Sequence, residues 1–298
     1  MRITLLHNES AGSEDHARED IAAALQRAGH HLVDVATRVE DLVATIDRTP
    51  CDLVVIAGGD GTVSRAACTL AGRRVPLGIL PLGTANNTAK SLGLPSGEPD
   101  LDALIAGWEG GSFRDLDLAT LQEGDRIEPF SECVGWGIFP DVIEKANELS
   151  LPEQREHTLE RDRRVFRSVI ERAKPSGFRI TAGTETIAGD YLLVEIVNIP
   201  NLGPQLELSP DSNPSDGKLE LVVAAEADRA ALLELTHTGK LPDGTRLATV
   251  RGERFSVQTD RASYHRDGKL LSRDGSAQEF SIAVEPAAIR HLNPRAQR

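Results

Sequence analysis

Five apolar residues, Leu53-Val54-Val55-Ile56-Ala57, run straight into Gly58-Gly59-Asp60-Gly61-Thr62. A short continuous apolar run reads as a strand buried on both faces. The glycines that follow let the backbone reach φ > 0 and approach a ligand closely. Successive N–H groups in such a turn form an anion-binding concavity. Asp60 stands at its apex, able to meet a sugar hydroxyl, a metal-bound water or the chain itself, and Thr62 is placed to cap the next helix. Asp-Gly is also a common plain turn, so a ligand-free strand-to-helix turn stays open on this motif alone. A second turn narrows the choice. Val75-Pro76-Leu77-Gly78-Ile79-Leu80 is another apolar run, and it ends in Pro81-Leu82-Gly83-Thr84-Ala85-Asn86-Asn87 before a helical stretch at 88–92. Two neighbouring strands ending in glycine turns on one edge make a crevice, and open α/β sheets bind ligands at the carboxyl ends of their strands.

The first 120 residues alternate strand and helix. Strands are expected at 3–6, 31–36, 53–57 and 75–80, and helices at 14–28, 39–47 and 63–70. The first helix carries Ala17, Ile21, Ala24, Leu25 and Ala28 at helical spacing and stops at Gly29. This alternation predicts a doubly wound, mainly parallel, three-layer α/β domain with right-handed crossovers. The pattern then changes. Residues 130–137 read as a strand, 140–149 and 159–173 as helices, and 178–182, 186–197, 219–225, 255–258 and 278–284 as short strands. A second, antiparallel, β-rich domain is expected, with the boundary near the turn Gln122-Glu123-Gly124-Asp125, so that domains span 1–122 and 123–284.

Composition excludes several classes. A net charge of −13 over 298 residues argues against a nucleic-acid binder and against adhesion of the whole body to anionic lipid. Cys51, Cys68 and Cys133 have neither disulfide-framework nor zinc spacing, and each reads as a small buried residue. The first residues read as a strand followed too soon by polar residues for a signal peptide, and no apolar run approaches the length of a membrane span. The cytosol is the expected compartment, with visits to the membrane surface if the substrate is a lipid.

The two glycine turns, in this order, resemble the catalytic domain of the diacylglycerol kinase and sphingosine kinase lipid kinases in its bacterial form. His7-Asn8-Glu9-Ser10-Ala11-Gly12 resembles the family's first-strand Asn-Pro-x-x-Gly turn, with Glu9 where proline is usual. Glu132-Cys133-Val134-Gly135-Trp136-Gly137 resembles the strand that opens its second domain. The stretch from Asn198 to Gly217, with Gly203-Pro204, Ser209-Pro210 and Ser215-Asp216-Gly217-Lys218-Leu219, resembles its Pro-Asp-Gly region. The resemblance implies an N-terminal α/β domain and a C-terminal β-sandwich-like domain with the active site in the cleft between them. It also implies that residues 285–298 return to the first domain. The implied reaction transfers the γ-phosphate of ATP to a lipid hydroxyl with Mg²⁺, diacylglycerol being the default acceptor and a sphingoid base or ceramide the others. A homodimer is an open option.

On this resemblance ATP is held at Gly58 and by main-chain N–H groups of the turns Gly59-Asp60-Gly61-Thr62 and Gly83-Thr84-Ala85-Asn86, with Asn8 and Ser10 beside the adenine or the phosphates and hydroxyl donation from Thr62 and Thr84, each of these four being a helix cap or turn residue in the plain alternative. The chain has no Gly-x-x-x-x-Gly-Lys-Ser/Thr stretch and no His-Arg-Asp or Asp-Phe-Gly set, which excludes Walker-type and protein-kinase-type machinery. Asp216 matches a segment that holds a metal in some relatives, though a plain turn before the next strand is the alternative. The family's Asp-Gly-Glu, whose carboxylates deprotonate the lipid hydroxyl, becomes Asp267-Gly268-Lys269, and a second candidate is Asp274-Gly275-Ser276. Lys269 could pair with a phosphate, or Asp267 could serve as base alone, or Asp267 could be a plain turn residue; Asp267 and Asp60 are the candidate catalytic residues. Asn87 likewise replaces an acid. These two neutral or basic substitutions keep open a nucleotide- or lipid-binding pseudo-kinase, and Gly-Gly-Asp-Gly is shared with NAD kinases. Residues 159–174 are rich in arginine, as a membrane-facing patch or, more simply, a solvated helix face. Trp136 and Phe139 read as an acyl pocket or as core.

Overall fold

The computed structural model describes residues 1–7, 17–95, 100–149, 158–273 and 279–295. Asn8, Ser10 and Asp274 lie outside the described residues. The chain divides into two compact units, Met1–Leu118 with Pro286–Arg298, and Ala119–Glu285.

In chain order the first part carries β1 (Arg2–His7), α1 (Arg18–Arg27), β2 (His31–Ala36), α2 (Val39–Arg48), β3 (Leu53–Gly58), α3 (Asp60–Leu70), β4 (Leu77–Pro81), α4 (Asn87–Ser91), α5 (Leu101–Ala106) and β5 (Ser112–Glu123). There follow β6 (Arg126–Phe130), β7 (Cys133–Gly137), α6 (Ile138–Glu148), α7 (Thr158–Ile170), β8 (Ser176–Ala182), β9 (Glu185–Tyr191), β10 (Leu193–Val197), β11 (Asn201–Leu202) and β12 (Leu206–Glu207). The chain closes with β13 (Leu219–Ala224), α8 (Arg229–Thr238), β14 (Ala248–Gly252), β15 (Arg254–Thr259), β16 (Ser263–Arg266), β17 (Lys269–Ser272) and β18 (Phe280–Asn293).

The first unit is the doubly wound domain that the strand–helix alternation predicts. Its sheet runs β2-β1-β3-β4 with parallel neighbours, and the end of β18 joins beside β4, His291 opposite Leu77. Side chains alternate across a strand, so β3 sends Val54 and Ile56 to one face and Leu53, Val55 and Ala57 to the other. The first set packs under α2 and α3 with Leu42, Val63 and Leu70; the second packs under α1 and α5 with Ile21, Leu25 and Ile105. Every residue of β3 is buried, as a central strand covered on both faces requires.

The second unit is built from antiparallel sheets. One face-to-face core joins Val134, Trp136, Ile196, Leu221 and Tyr264 to Phe178, Val257 and Phe280. The sheet ordered β14-β13-β10-β7-β16-β17 turns its other face to α6, α7 and α8, where Phe139, Phe166, Ile170 and Leu235 bury Cys133, Val197 and Val222. Trp136 and Phe139 are therefore core on opposite faces of that sheet.

Several local expectations change. Residues 186–197 are two strands, because β9 pairs with β8 while β10 pairs with β7 and β13. The change of sheet falls at Leu192, whose N–H donates to Ala224 O and whose carbonyl accepts from Ile138. Helix α8 and the hairpin β16–β17 were not anticipated from the sequence. The helix ends at Gly239 in the left-handed region, φ 83°, a regular helix stop.

Candidate functional site

Strand β3 ends at Gly58, and α3 opens at Asp60 rather than at 63. The Gly59 carbonyl accepts from both Thr62 and Val63, 2.9 and 3.0 Å away, which draws the glycine turn itself into the first helical turn. Thr62 is consequently a buried third residue of the helix and not its cap; its side chain packs over Gly58. Gly61 faces solvent, and a Cβ built on it would meet nothing within 4 Å. Arg65 lays a guanidinium on this turn through Nε to Gly61 O, 3.1 Å.

The second turn lies directly against the first. A Cβ on Gly83 would overlap the Cα of Gly59, so both glycines are required for backbone-to-backbone approach. The N–H of Gly83 donates to Asn86 Oδ1 at 2.9 Å, and Asn86 Nδ2 donates to Pro81 O and Gly83 O at 3.0 and 2.7 Å. Asn86 is buried and left-handed, φ 50°. Gly83 and Asn86 thus spend their hydrogen bonds on shaping the turn. Thr84, between them, is exposed.

Asp60 joins the two turns. Its Oδ1 accepts the N–H of Thr88 at 3.0 Å, at the start of α4. An α-helix leaves its first N–H groups unpaired, and here a carboxylate from α3 fills that vacancy in α4. Burial pushes the Asp60 carboxyl up, opposed by N–H donation from Thr88, Asn87 and Asn86. Of the alternatives open for Asp60, its carboxylate takes the chain itself. The groups left facing outward are the start of α3 at Gly61 and the Thr84 side chain. An anion is favoured at a helix N-terminus by its unpaired N–H groups and its dipole.

In the second unit Asp267 occupies the β16–β17 turn with φ 45°. Its carboxylate accepts three main-chain N–H groups: Ser131 at 3.0 Å, Glu132 at 2.9 Å and Cys133 at 3.1 Å. Its own N–H donates to Cys133 O at 2.9 Å. An ionised carboxylate offers about four acceptor positions, so at least three are taken by the entry to β7. Lys269 is exposed at the start of β17. Nothing in the sequence signals that the donating amides are those of 131–133, which lie far away along the chain.

Asp216 accepts Lys218 N–H at 3.0 Å through Oδ1, and its Oδ2 is paired with Arg251. A guanidinium already supplies the positive charge that a metal would bring. With both oxygens engaged, this carboxylate does not fit Mg²⁺ as it stands. On α7, Arg164 pairs with Glu160 and Arg167 with Glu171 at i,i+4 spacing, and Arg163 donates to Pro204 O. This is the solvated-face arrangement. No helix among the described residues is long and apolar enough to cross a membrane.

Comparison with known proteins bears on the same two units. Residues 2–121 match the family described as diacylglycerol kinase catalytic domain, and residues 137–293 match the YegS C-terminal NAD kinase beta sandwich-like domain. The chain is 30% identical over 308 residues to a diacylglycerol kinase of Mycobacterium tuberculosis (strain CDC 1551 / Oshkosh), covering 99% of this chain and 96% of that one. It is 28% identical over 298 residues to a protein of Pectobacterium atrosepticum named probable lipid kinase YegS-like, covering 96% and 94%. A solved structure of a diacylglycerol kinase from Bacillus anthracis str. Sterne superposes with a TM-score of 0.73 at 19% identity, covering 98% and 97%, which shows the common fold.

Proposed function

Because the chain belongs to the diacylglycerol kinase catalytic-domain family, we propose that it transfers the γ-phosphoryl group of ATP to the hydroxyl of a membrane lipid, diacylglycerol by default. The observation that carries this reading is the locked pair of glycine turns, with the start of α3 and Thr84 facing outward. Gly59, Asp60 and Gly61 offer main-chain N–H groups toward phosphate oxygens, the Thr84 hydroxyl adds a donor, and Arg65 contributes countercharge. Gly58, Thr62, Gly83 and Asn86 support these groups from behind.

Phosphoryl transfer runs through a loose transition state in most analyses, so catalysis is chiefly positioning and charge neutralisation. Asp60 serves this by holding the two turns in one geometry. Asp267 serves it by holding the segment 131–133 at the entry to β7, and on this reading it is a positioning residue. Divalent metal supplies phosphate neutralisation in such chemistry, but the arrangement around Asp216 does not suit it, and no step is assigned to that residue.

A reading without turnover, as a nucleotide- and lipid-binding protein, is favoured by one feature: two altered acidic positions together with a third acid that is already neutralised. Lys269 and Asn87 replace acids, and Asp216 is paired with Arg251. Labelled ATP with Mg²⁺ and mixed micelles of diacylglycerol, sphingoid base or ceramide separates the readings, with NAD as a control acceptor. A labelled lipid that is lost in Asp60→Ala supports the kinase. Nucleotide binding by calorimetry without any product supports the second reading, and absence of nucleotide binding removes both.

A further inference from the structure

Three ionisable side chains meet inside the second unit, where the proposed chemistry has no use for them. Strand β7 lies between β10 and β16, and Gly135 is opposite Glu195 on one side and His265 on the other. Residues directly opposite share a face of a sheet, as do residues two apart along a strand. Glu195, His265 and Cys133 therefore project from one face, the one covered by helices. Gly135 makes room for them, since a Cβ there would overlap the Glu195 carboxylate. The three are 0%, 1% and 3% exposed. One donor atom from each, the Glu195 oxygen, a His265 ring nitrogen and Cys133 Sγ, lies within 4.8 Å of the others. His265 Nε2 stands 3.0 Å from both Glu195 oxygens, Phe139 stacks on its ring at 5.3 Å, and its Nδ1 has no partner.

We propose that Cys133, Glu195 and His265 form a binding site for a single divalent cation of the Zn²⁺ type. Zinc bonds of about 2.0–2.3 Å to N, O and S set tetrahedral ligand atoms about 3.3–3.6 Å apart, so donors now within 4.8 Å of one another close by up to about an ångström to share one centre, while the 3.0 Å Glu195–His265 pair opens slightly. Thiolate with imidazole selects this class of ion over Mg²⁺. Binding expels the thiol proton and the proton held between Glu195 and His265 to solvent, leaving a thiolate and a carboxylate to balance the two positive charges. His265 then ligates through Nε2 and keeps its ring proton on Nδ1. Net charge in the apolar layer is zero, which is what burial of ionised groups demands. The inference does not depend on the kinase reading.

The test is titration of the intact chain, stripped by chelator and kept reduced, with Co²⁺ alone. A thiolate-to-cobalt charge-transfer band should grow to saturation at a single Co²⁺ per chain, be displaced by Zn²⁺ and be unaffected by Mg²⁺. Cys133→Ser should abolish the band, and His265→Gln should weaken Co²⁺ retention at least about tenfold. The double variant Cys51→Ser/Cys68→Ser leaves Cys133 as the sole thiol and should keep the band in full, which covers the case in which Cys133→Ser fails to fold. No band in the folded wild-type chain, or loss of it in the double variant, overturns the site.

Discussion

Asp60 couples the two glycine turns through its carboxylate. A carboxylate at the apex of a glycine turn invites a catalytic role, yet its oxygen is given to the start of α4. Asp60→Ala should cost about 1–2 kcal/mol in urea unfolding, the usual value of a lost helix cap, and should remove nucleotide binding because the turns come apart. The pH dependence has a definite sign. Burial raises the folded carboxyl above its ordinary 3.8, so between that value and the folded pKa the native state holds more protons than the unfolded chain. Stability from this group is greatest below pH 3.8 and declines as pH rises through the folded pKa. Asp60→Asn should flatten that part of the curve. His291 behaves oppositely. Burial, with Arg114 nearby, lowers its pKa from 6.5 to about 4, and neither ring nitrogen has a partner. The unfolded chain protonates first on acidification, so stability is lost as pH falls from 6.5 toward 4, by at most about 3.5 kcal/mol at roughly 1.4 kcal/mol per pH unit. His291→Leu should abolish this acid slope and be neutral or stabilising at pH 7, as unfolding curves at pH 7 and pH 5 would show.

Among the elements, the β16–β17 hairpin matters most for function. Its turn places Asp267 in the left-handed region and ties it to the entry of β7 through three amides. Asp267→Asn keeps a residue tolerant of that conformation and one carbonyl acceptor. Asp267→Ala keeps neither and should lower stability by about 2–4 kcal/mol through the stranded N–H groups. A positioning role predicts that Asp267→Asn retains a measurable fraction of lipid phosphorylation with an unchanged pH–rate profile. A base would show a loss of two or more decades and a vanished acidic limb. The glycine turns give a parallel test. Gly83→Ala drives a Cβ into Gly59, so nucleotide affinity should fall while Gly61→Ala, directed to open space, disturbs the fold far less; calorimetry on both variants reads the difference.

For the whole molecule, the net charge of −13 sets the long-range field. An anionic lipid surface repels such a chain, and salt screens the repulsion over about 8–10 Å at physiological strength. Initial rates on anionic vesicles should therefore rise as salt increases from low to physiological values, and a steady fall would instead reveal a basic docking patch. Much of the architecture was legible in the chain itself. The doubly wound first unit follows from apolar runs that alternate with helical stripes, and the glycine turns follow from their composition, because strand burial and left-handed backbone are demands met by few residue types. The antiparallel character of the second unit was legible too, from short strands separated by turns. What only the tertiary structure decided is pairing over distance. It decided that 186–197 splits between two sheets, that Asp60 serves α4, that Asp267 serves 131–133, that Arg251 neutralises Asp216, and that Cys133, Glu195 and His265 converge over Gly135. Local propensity acts over a few residues, whereas a carboxylate or an amide takes whichever partner the packed layers bring within reach, and that partner is set by burial of the whole core.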